Sequence, residues 1–484
     1  MVAGSQNPVT PVKAGVVFAT VMVAVFVSNL DLFVVNVALP RIGQDFHGAS
    51  LDALSWVLNA YAIVFAALLV VAGRLADRRG HRPGFLFGLG VFTLGSTLCA
   101  LATGTGWLVA FRVLQAAGAA VLLPTSLALL LATAAPERRA RVVRAWSAVG
   151  GVAAGLGPVV GGLLVQASWR WVFLINVPIG LAAMVIGSRV LPEVRREERG
   201  PFPDLLGAAM LTVSVGALAL SLVEGNSWGW SDRRTIGGFV AAAALLGLFL
   251  FQSARHPAPV VELPMLRIKA FSSATVATML FTVGLAGMIL SAVLWCESVW
   301  GYSALKTGLA LAPGPLMVPP LAAAAGPLGR RFGPGPVSAA GNLLFGVGLL
   351  WWGLRTGLSP HYATQMLPGF LIGGVGIGLA LPTLTAAGAT ALPPQRFATG
   401  SGILNMARQI GAVLGVAVVV VILGRPKSPV TALNHFQHGW EAIAGATVLA
   451  ALASLLVRTQ APASGAAPRT DSVPQGQQVG ASRE

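Results

Sequence analysis

Fourteen runs of about twenty mostly apolar residues recur along this chain, near 14 to 37, 53 to 72, 84 to 103, 107 to 131, 142 to 166, 170 to 191, 205 to 223, 235 to 252, 273 to 296, 305 to 325, 335 to 354, 365 to 387, 400 to 422 and 439 to 457. A bilayer core about 30 Å thick needs roughly 20 such residues per helix. Inside it every backbone polar group must be bonded within the protein. The expected fold class is therefore an all-α polytopic membrane protein. Composition agrees, with 55% hydrophobic and 10% charged residues among 484, against about 25% charged in a soluble domain. The first run is too long for the apolar core of a signal peptide and holds an aspartate, so it reads as a span. Cys99 and Cys296 lie far apart in apolar runs, which excludes a disulfide framework or a cysteine metal quartet. The histidines, His47, His81, His256, His361, His435 and His438, sit in or beside polar loops, which argues against an intramembrane imidazole relay.

The net charge of +16 invites comparison with nucleic-acid binders, but the basic residues are scattered between apolar runs. Lys and Arg collect in cytoplasmic loops. With the N-terminus inside, 22 of them fall on the inner side, 8 on the outer side, and 2, Arg112 and Arg408, within helices. That asymmetry predicts a multi-pass protein of the inner (cytoplasmic) membrane with both termini in the cytoplasm.

The chain also repeats itself. Gly73-Arg-Leu-Ala-Asp-Arg-Arg-Gly80 is echoed 253 residues later by Gly326-Pro-Leu-Gly-Arg-Arg-Phe-Gly333. Gly118 and Leu123-Pro124-Thr125 return 258 residues later as Gly376 and Leu381-Pro382-Thr383, and Gly151 and Gly155 return after 260 as Gly411 and Gly415. The expected organisation is an N-terminal six-helix bundle over 1–191, a two-helix insert with its loops over 192–270, a C-terminal six-helix bundle over 271–457, and a polar tail over 458–484 too poor in apolar residues to fold alone. Parallel halves around a midplane site are a common plan for alternating access.

Charged groups inside the spans carry the chemistry. A carboxylate near mid-membrane costs about 2.5 kcal/mol or more on insertion scales, so Asp31 is expected to face a cavity or a partner and to work there. Arg112 is the candidate partner. Counting 1.5 Å per residue from the helix ends puts Asp31 about 12 Å and Arg112 about 8 Å below the outer face. A fixed pair that never titrates is the bland alternative, and an arginine bonded only to backbone carbonyls is another. Glu297, near the outer end of helix 9, reads either as a second proton or cation site or as a solvated helix-end acid. Arg408 lies about 12 Å inside helix 13 by the same rise and has no obvious acidic partner. Trp56, Asn59 and Tyr61 on helix 2 either line a cavity or fill packing surfaces. Small residues on helix 5 allow close helix approach, and Pro158 frees a backbone bond. Asp77 with Arg78, Arg79 and Arg82 reads as a cytoplasmic latch, with the start of helix 13 at Thr399-Gly-Ser401 as the opposing positive pole. The same arginines also serve plain positive-inside topology.

Taken together these residues resemble the major facilitator superfamily, specifically its fourteen-helix drug:proton antiporters. Asp31, Asn36 and Pro40 match the first-helix motif of that family. Gly73, Asp77, Arg78, Gly80 and Arg82 match its loop motif between helices 2 and 3, with His81 where a second basic residue is common. Arg112, Gln115 and Gly118 match helix 4, although Ala116 replaces a frequent glycine. Gly155, Gly157, Pro158, Gly161 and Gly162 resemble the antiporter motif of helix 5, and Trp169 through Pro178, including Asn176, the helix 5 to 6 junction. Asn405, Arg408 and Gln409 resemble a pattern on helix 13, while Glu297 departs from the amide often found at its place.

The resemblance implies two six-helix bundles plus two inserted helices and export of a small amphiphilic compound, a drug, antibiotic or secondary metabolite, by a monomer in the bilayer. The energy source is the proton gradient and no cofactor is needed. In this reading Asp31 and Arg112 couple protons, and the Asp31 carboxylate serves proton and substrate in turn. Asn36, Trp56, Asn59, Tyr61, Gln115, Glu297 and Asn405 line the substrate cavity. The glycines and Pro158 of helix 5, the helix 2 to 3 loop and Arg408 govern conformational change. Proton-coupled uptake of a metabolite is the alternative transport reading. An intramembrane enzyme would need a nucleophile, metal cluster or grouped acids that the sequence does not show, and there is no GxxxxGK[ST] loop for an ATP-driven pump.

Overall fold

A computed structural model describes residues 11–47, 49–194, 201–392 and 396–457. The tail expected over 458–484 lies outside the described residues, as does part of the loop leading into the insert. Thirteen helices among the described residues are long and apolar enough to cross a membrane: α1 (Ala14–Asp45), α2 (Leu51–Arg79), α3 (His81–Ala100), α4 (Thr105–Thr133), α5 (Glu137–Ala167), α6 (Trp171–Val190), α7 (Leu205–Trp228), α8 (Arg233–Arg255), α9 (Lys269–Val299), α10 (Ala304–Phe332), α11 (Pro334–Arg355), α12 (Leu367–Thr390) and α13 (Thr399–Leu423). The fourteenth, α14 (Pro429–Leu455), is 27 residues long but less apolar, because it starts ten residues before the apolar run and takes in His435, His438 and Glu441. Packing compensates. Phe436, Trp440 and Ile443 are buried, and the Trp440 indole donates to Ser291 of α9 at 3.1 Å and meets Trp352 of α11 edge-on.

Helix pairing shows why the sequence repeats. In the first half α1 packs on α5 and α6, α4 on α2 and α3; in the second α9 packs on α13 and α14, α12 on α10 and α11. Adding eight to each index converts one set into the other. Lipid supplies no hydrophobic force between helices, so close backbone approach at small residues carries the packing. A Cβ on Gly118 of α4 would overlap Phe92 and Gly88 of α3, and one on Gly376 of α12 would overlap Phe345 and Gly341 of α11. Gly80 and Gly333, which close the repeated loop, both take positive φ, 107° and 87°, open to glycine and costly for other residues. One part of the repeat is re-registered. Gly411 and Gly415 abut Met279 and Val283 of α9, and the glycines that play this role against Phe33 and Val34 of α1 are Gly157 and Gly161, whereas Gly151 faces open space. The glycine spacing on helix 5 alone did not reveal which pair meets α1.

Two seams join the halves, α2 with α13 and α5 with α10, and they differ. The inserted helices α7 and α8 pair with each other, and α7 lies against α2 and α13. On the membrane face where α1 ends, one continuous core crosses both halves, including Val34, Leu54 and Trp169 from the first and Met288, Trp295 and Leu311 from the second. On the opposite face each half keeps its own core, around Phe85 and Leu129 in one and Ala274 and Leu384 in the other. There the α2–α13 seam is still filled by Val70, Leu211 and Ile403. The α5–α10 seam is not: its glycine contacts run from Gly162 against Ala304 to Gly155 near Pro315, and Gly151, one turn further along the same stripe of α5, faces open space. The molecule is thus closed on the side where α1 ends and parted along α5–α10 on the other.

The closed part of that seam rests on backbone contact. Gly162 has room for no side chain, since a Cβ there would sit 2.5 Å from the Ala304 carbonyl oxygen and 2.8 Å from Leu305 Cα, and Gly308 abuts the Pro158 carbonyl. Overpacking costs about 1–3 kcal/mol. Gly162→Ala is therefore expected to lower the population of the closed seam roughly tenfold. The measurement is the labelling rate of Leu311→Cys by a membrane-impermeant maleimide, in the presence and absence of the alanine. An unchanged rate would show that the seam is not held by this contact.

Candidate functional site

Asp31 lies on the face of α1 turned toward α3, α4 and α6, and it is 1% exposed. The depth count from the helix ends put Arg112 at nearly the same level, and the structure brings the two together, Arg112 Nη1 donating to Asp31 Oδ2 at 2.5 Å. The guanidinium is fully buried and well occupied. It also donates to Gln115 Oε1 at 2.7 Å and to the Val57 carbonyl at 3.2 Å, and it lies 4.1 Å from the centre of the Tyr61 ring, a cation–π geometry.

The other carboxylate oxygen is occupied as well. Asp31 Oδ1 accepts from Gln115 Nε2 at 2.9 Å and Asn176 Nδ2 at 3.1 Å. Ser96 ties these two amides together, accepting from Gln115 at 3.1 Å and Asn176 at 2.8 Å while donating to the Phe173 carbonyl at 2.9 Å. Hydrogen bonds to charged groups contribute about 1.5–3 kcal/mol each, and three on one carboxylate offset an insertion cost of about 2.5–3.5 kcal/mol per charge. One acceptor stays open, for Asn176 Oδ1 is buried with no partner among the described residues. Rotating that amide by half a turn would present an oxygen, in place of Nδ2, to a protonated Asp31.

Ser96 and Asn176 were not singled out as site residues from the sequence. Asn176 stood only in the junction motif and Ser96 in no motif, yet each is a polar side chain in an apolar run, which is the signal that marks them. Gln115, expected to line the substrate cavity, belongs to this closed network, and Tyr61 serves as its aromatic wall. The carboxylate is shut off from any ligand in this conformation.

The opposite face of α1 touches α5. Phe33 and Val34, two and three residues beyond Asp31, lie against Gly157 and Gly161, and on the far side of α5 Pro158 and Gly162 lie against Gly308 and Ala304 of α10, with Gly155 near Pro315. The acid and the seam between the halves are thus one helix apart.

The remaining candidates are dispersed. Asn36 is buried and donates to its own helix at the Leu32 carbonyl, 2.9 Å away. Trp56 packs with the cluster between α2, α7 and α13, and Asn59 is buried with neither amide atom bonded to a described residue. Glu297 lies in a π-helical turn, Trp295–Val299, at the C-terminal end of α9, partly buried, with Oε1 unpartnered among the described residues. Asn405 and Arg408 share a half-exposed face of α13, with Arg408 Nη1 3.5 Å from Asn405 Oδ1.

The helix 2 to 3 loop is clamped mainly to its neighbours and to the insert. Asp77 Oδ1 is 3.3 Å from His81 Nε2, Arg78 lies over Phe202, and Arg82 donates to the Ser188 carbonyl. Gly73 fits against Pro124. Arg74 pairs with Glu262, in the segment joining α8 to α9, at 3.3 Å.

Comparison with known proteins places this geometry. The Major Facilitator Superfamily model matches residues 21–416. The tetracenomycin C resistance and export protein of Streptomyces glaucescens is 33% identical over 404 residues, covering 83% of this chain and 74% of that protein. The methylenomycin A resistance protein of Streptomyces coelicolor is 32% identical over 414 residues, covering 85% and 86%. Among solved structures, a bacterial homologue of the human lysosomal transporter Spinster, in an inward-facing and unoccupied conformation, shares the fold with a TM-score of 0.66 at 18% identity, covering 94% of this chain and 98% of that one. With two pseudo-symmetric bundles, the sealed acid–arginine pair and a family match across most of its length, the chain belongs to the major facilitator superfamily.

Proposed function

We propose that this protein exports a small amphiphilic compound from the cytoplasm in exchange for protons, by alternating access. The observation that carries the reading is the Asp31–Arg112–Gln115–Asn176 network, a titratable group at the pivot between α1 and the glycine face of α5. The resistance and export activities in the names of its relatives support the direction of transport, and the excess of basic residues on the side where the chain begins supports placing that side in the cytoplasm. In that orientation the parted α5–α10 seam opens inward and the structure is poised to load.

Ionised Asp31 holds α1 to α4 and α6 through Arg112, Gln115 and Asn176. Protonation removes the charge that Arg112 and the two amides face, and Asn176 can turn its free oxygen to the new hydroxyl. Arg112 retains Gln115 and the Val57 carbonyl and stays in place. The loosened partner is α1, whose Phe33 and Val34 press on α5, so the proton acts on the seam. Exchange follows when the protonated state favours one seam arrangement and the substrate the other; each ligand shifts the equilibrium by its differential affinity for the two states.

In proteoliposomes a pH gradient is expected to drive substrate movement without ATP. Full transport after collapse of both the pH gradient and the membrane potential would remove the mechanism. Asp31→Asn is expected to abolish uphill export in a protein that still inserts and runs as a single species, and to release fewer protons than wild type when substrate is added in detergent. Uphill export unchanged in that variant would move coupling elsewhere, with Glu297 next to be tested. Asn176→Leu keeps the volume and removes the amide; losing one bond to a charge, worth about 1.5–3 kcal/mol, is expected to lower export roughly tenfold. Normal export by Asn176→Leu would assign the amide a packing role only.

A further inference from the structure

Arg408 is a guanidinium inside a membrane span with no acid to answer it. Its one bond among the described residues is the long one to Asn405, itself on the same helix, and the Asn405 amide is committed to the Ser401 carbonyl at 3.0 Å. No carboxylate among the described residues lies within ion-pair distance of Arg408, and no charged group acts on it. The other intramembrane arginine, Arg112, has Asp31, Gln115 and a carbonyl. An intramembrane cation faces a bundle interior or a water-filled space and marks a ligand path or a partner.

The packing of α13 shows where Arg408 points. Gly402 sits against Val70 of α2; Gly411 and Gly415 sit against Met279 and Val283 of α9; Ile403 lies in the cluster shared with Leu211 of α7. Those contacts take three sides of the helix. The fourth, one stripe at helical spacing, is Ser401, Asn405, Arg408 and Ala412, and every member is partly or fully exposed. It lies opposite α7, whose own far side, at Leu206 and Val213, is exposed on the outside of the bundle. The stripe therefore looks into the space between the two halves.

We propose that Arg408 binds an acidic group of the transported molecule, so that the preferred substrates are amphiphilic anions such as aromatic carboxylates or phenolates. The proposal rests on the export reading for the existence of a substrate and adds its chemical class. A guanidinium offers five donors in a planar fork that matches a carboxylate with two parallel bonds, and here at most one donor is engaged. The sealed acid Asp31 carries no negative field into this space beyond its own arginine. A cationic drug entering there meets an uncompensated positive charge.

Purified protein in lipid nanodiscs, with no gradient, can be titrated with pyrenebutyrate, its methyl ester and pyrenebutylamine, which share one ring system and differ in charge. Wild type is expected to bind the acid about tenfold or more tightly than the ester or the amine. Arg408→Gln should level the three affinities, and Arg408→Lys, a point charge without the fork, should keep part of the preference. Monodispersity of each variant on size exclusion is checked first. Equal affinities in wild type, absence of binding by all three, or a preference surviving in Arg408→Gln would each overturn the proposal. If Arg408→Gln does not fold, the wild-type ranking and Arg408→Lys decide. Failure of the proton-driven reading in proteoliposomes would leave this ranking intact, so the two can fail separately.

Discussion

The cost of holding a charge in hydrocarbon organises this molecule. Asp31, Arg112, Glu297 and Arg408 each meet that cost differently. Asp31 and Arg112 cancel one another and are wrapped in donors and acceptors from four helices. Glu297 sits at the C-terminal end of α9, where the helix widens into a π turn of the kind that often accompanies function. Arg408, partly buried, has only the Asn405 amide for company among the described residues. The sealed pair ties the first bundle together internally, whereas the cation of α13 is left with a single long bond.

Much of this was legible in the sequence, for physical reasons. Apolar runs count helices because lipid leaves few alternatives, and α14, whose apolarity is lowered by His435, His438 and Glu441, is held by the partners that Trp440 and Phe436 find. The matched depths of Asp31 and Arg112 could be computed because helical rise is constant. What stayed hidden was lateral arrangement. Rise alone does not say that Gln115 turns to Asp31 while Asn36 bonds its own helix, or that Ser96 closes the ring, since that depends on which helices are neighbours. The contacts of the helix 2 to 3 segment with the insert were hidden in the same way. The ion pair of Arg74 reaches Glu262 beyond the insert, a partner 188 residues away that no local pattern announces.

The glycines divide by function in a way their number conceals. Those at 88, 118, 341 and 376 fasten helices within a bundle and recur in both halves, so they belong to the scaffold that is common to each. While Gly157 takes the Phe33 side chain, those at 161, 162 and 308 join α1 to α5 and α5 to α10 mainly through backbone contact. Surfaces of that kind can part and meet again without repacking side chains, unlike the jigsaw of a close-packed interior.

The inserted helices break the twofold relation between the halves, and this has a mechanical consequence. With α7 laid along α2 and α13, and Arg74 tied to the strand of chain beyond α8, one edge of the molecule is bound from face to face. The other edge is bound at one face only. Two rigid bodies joined along one edge turn about that edge, so displacement grows across the molecule and is greatest at α5 and α10. The protein is built less like a pair of jaws than like a book, with its spine at the insert and its pages parting on the side where lipid, not protein, stands outside.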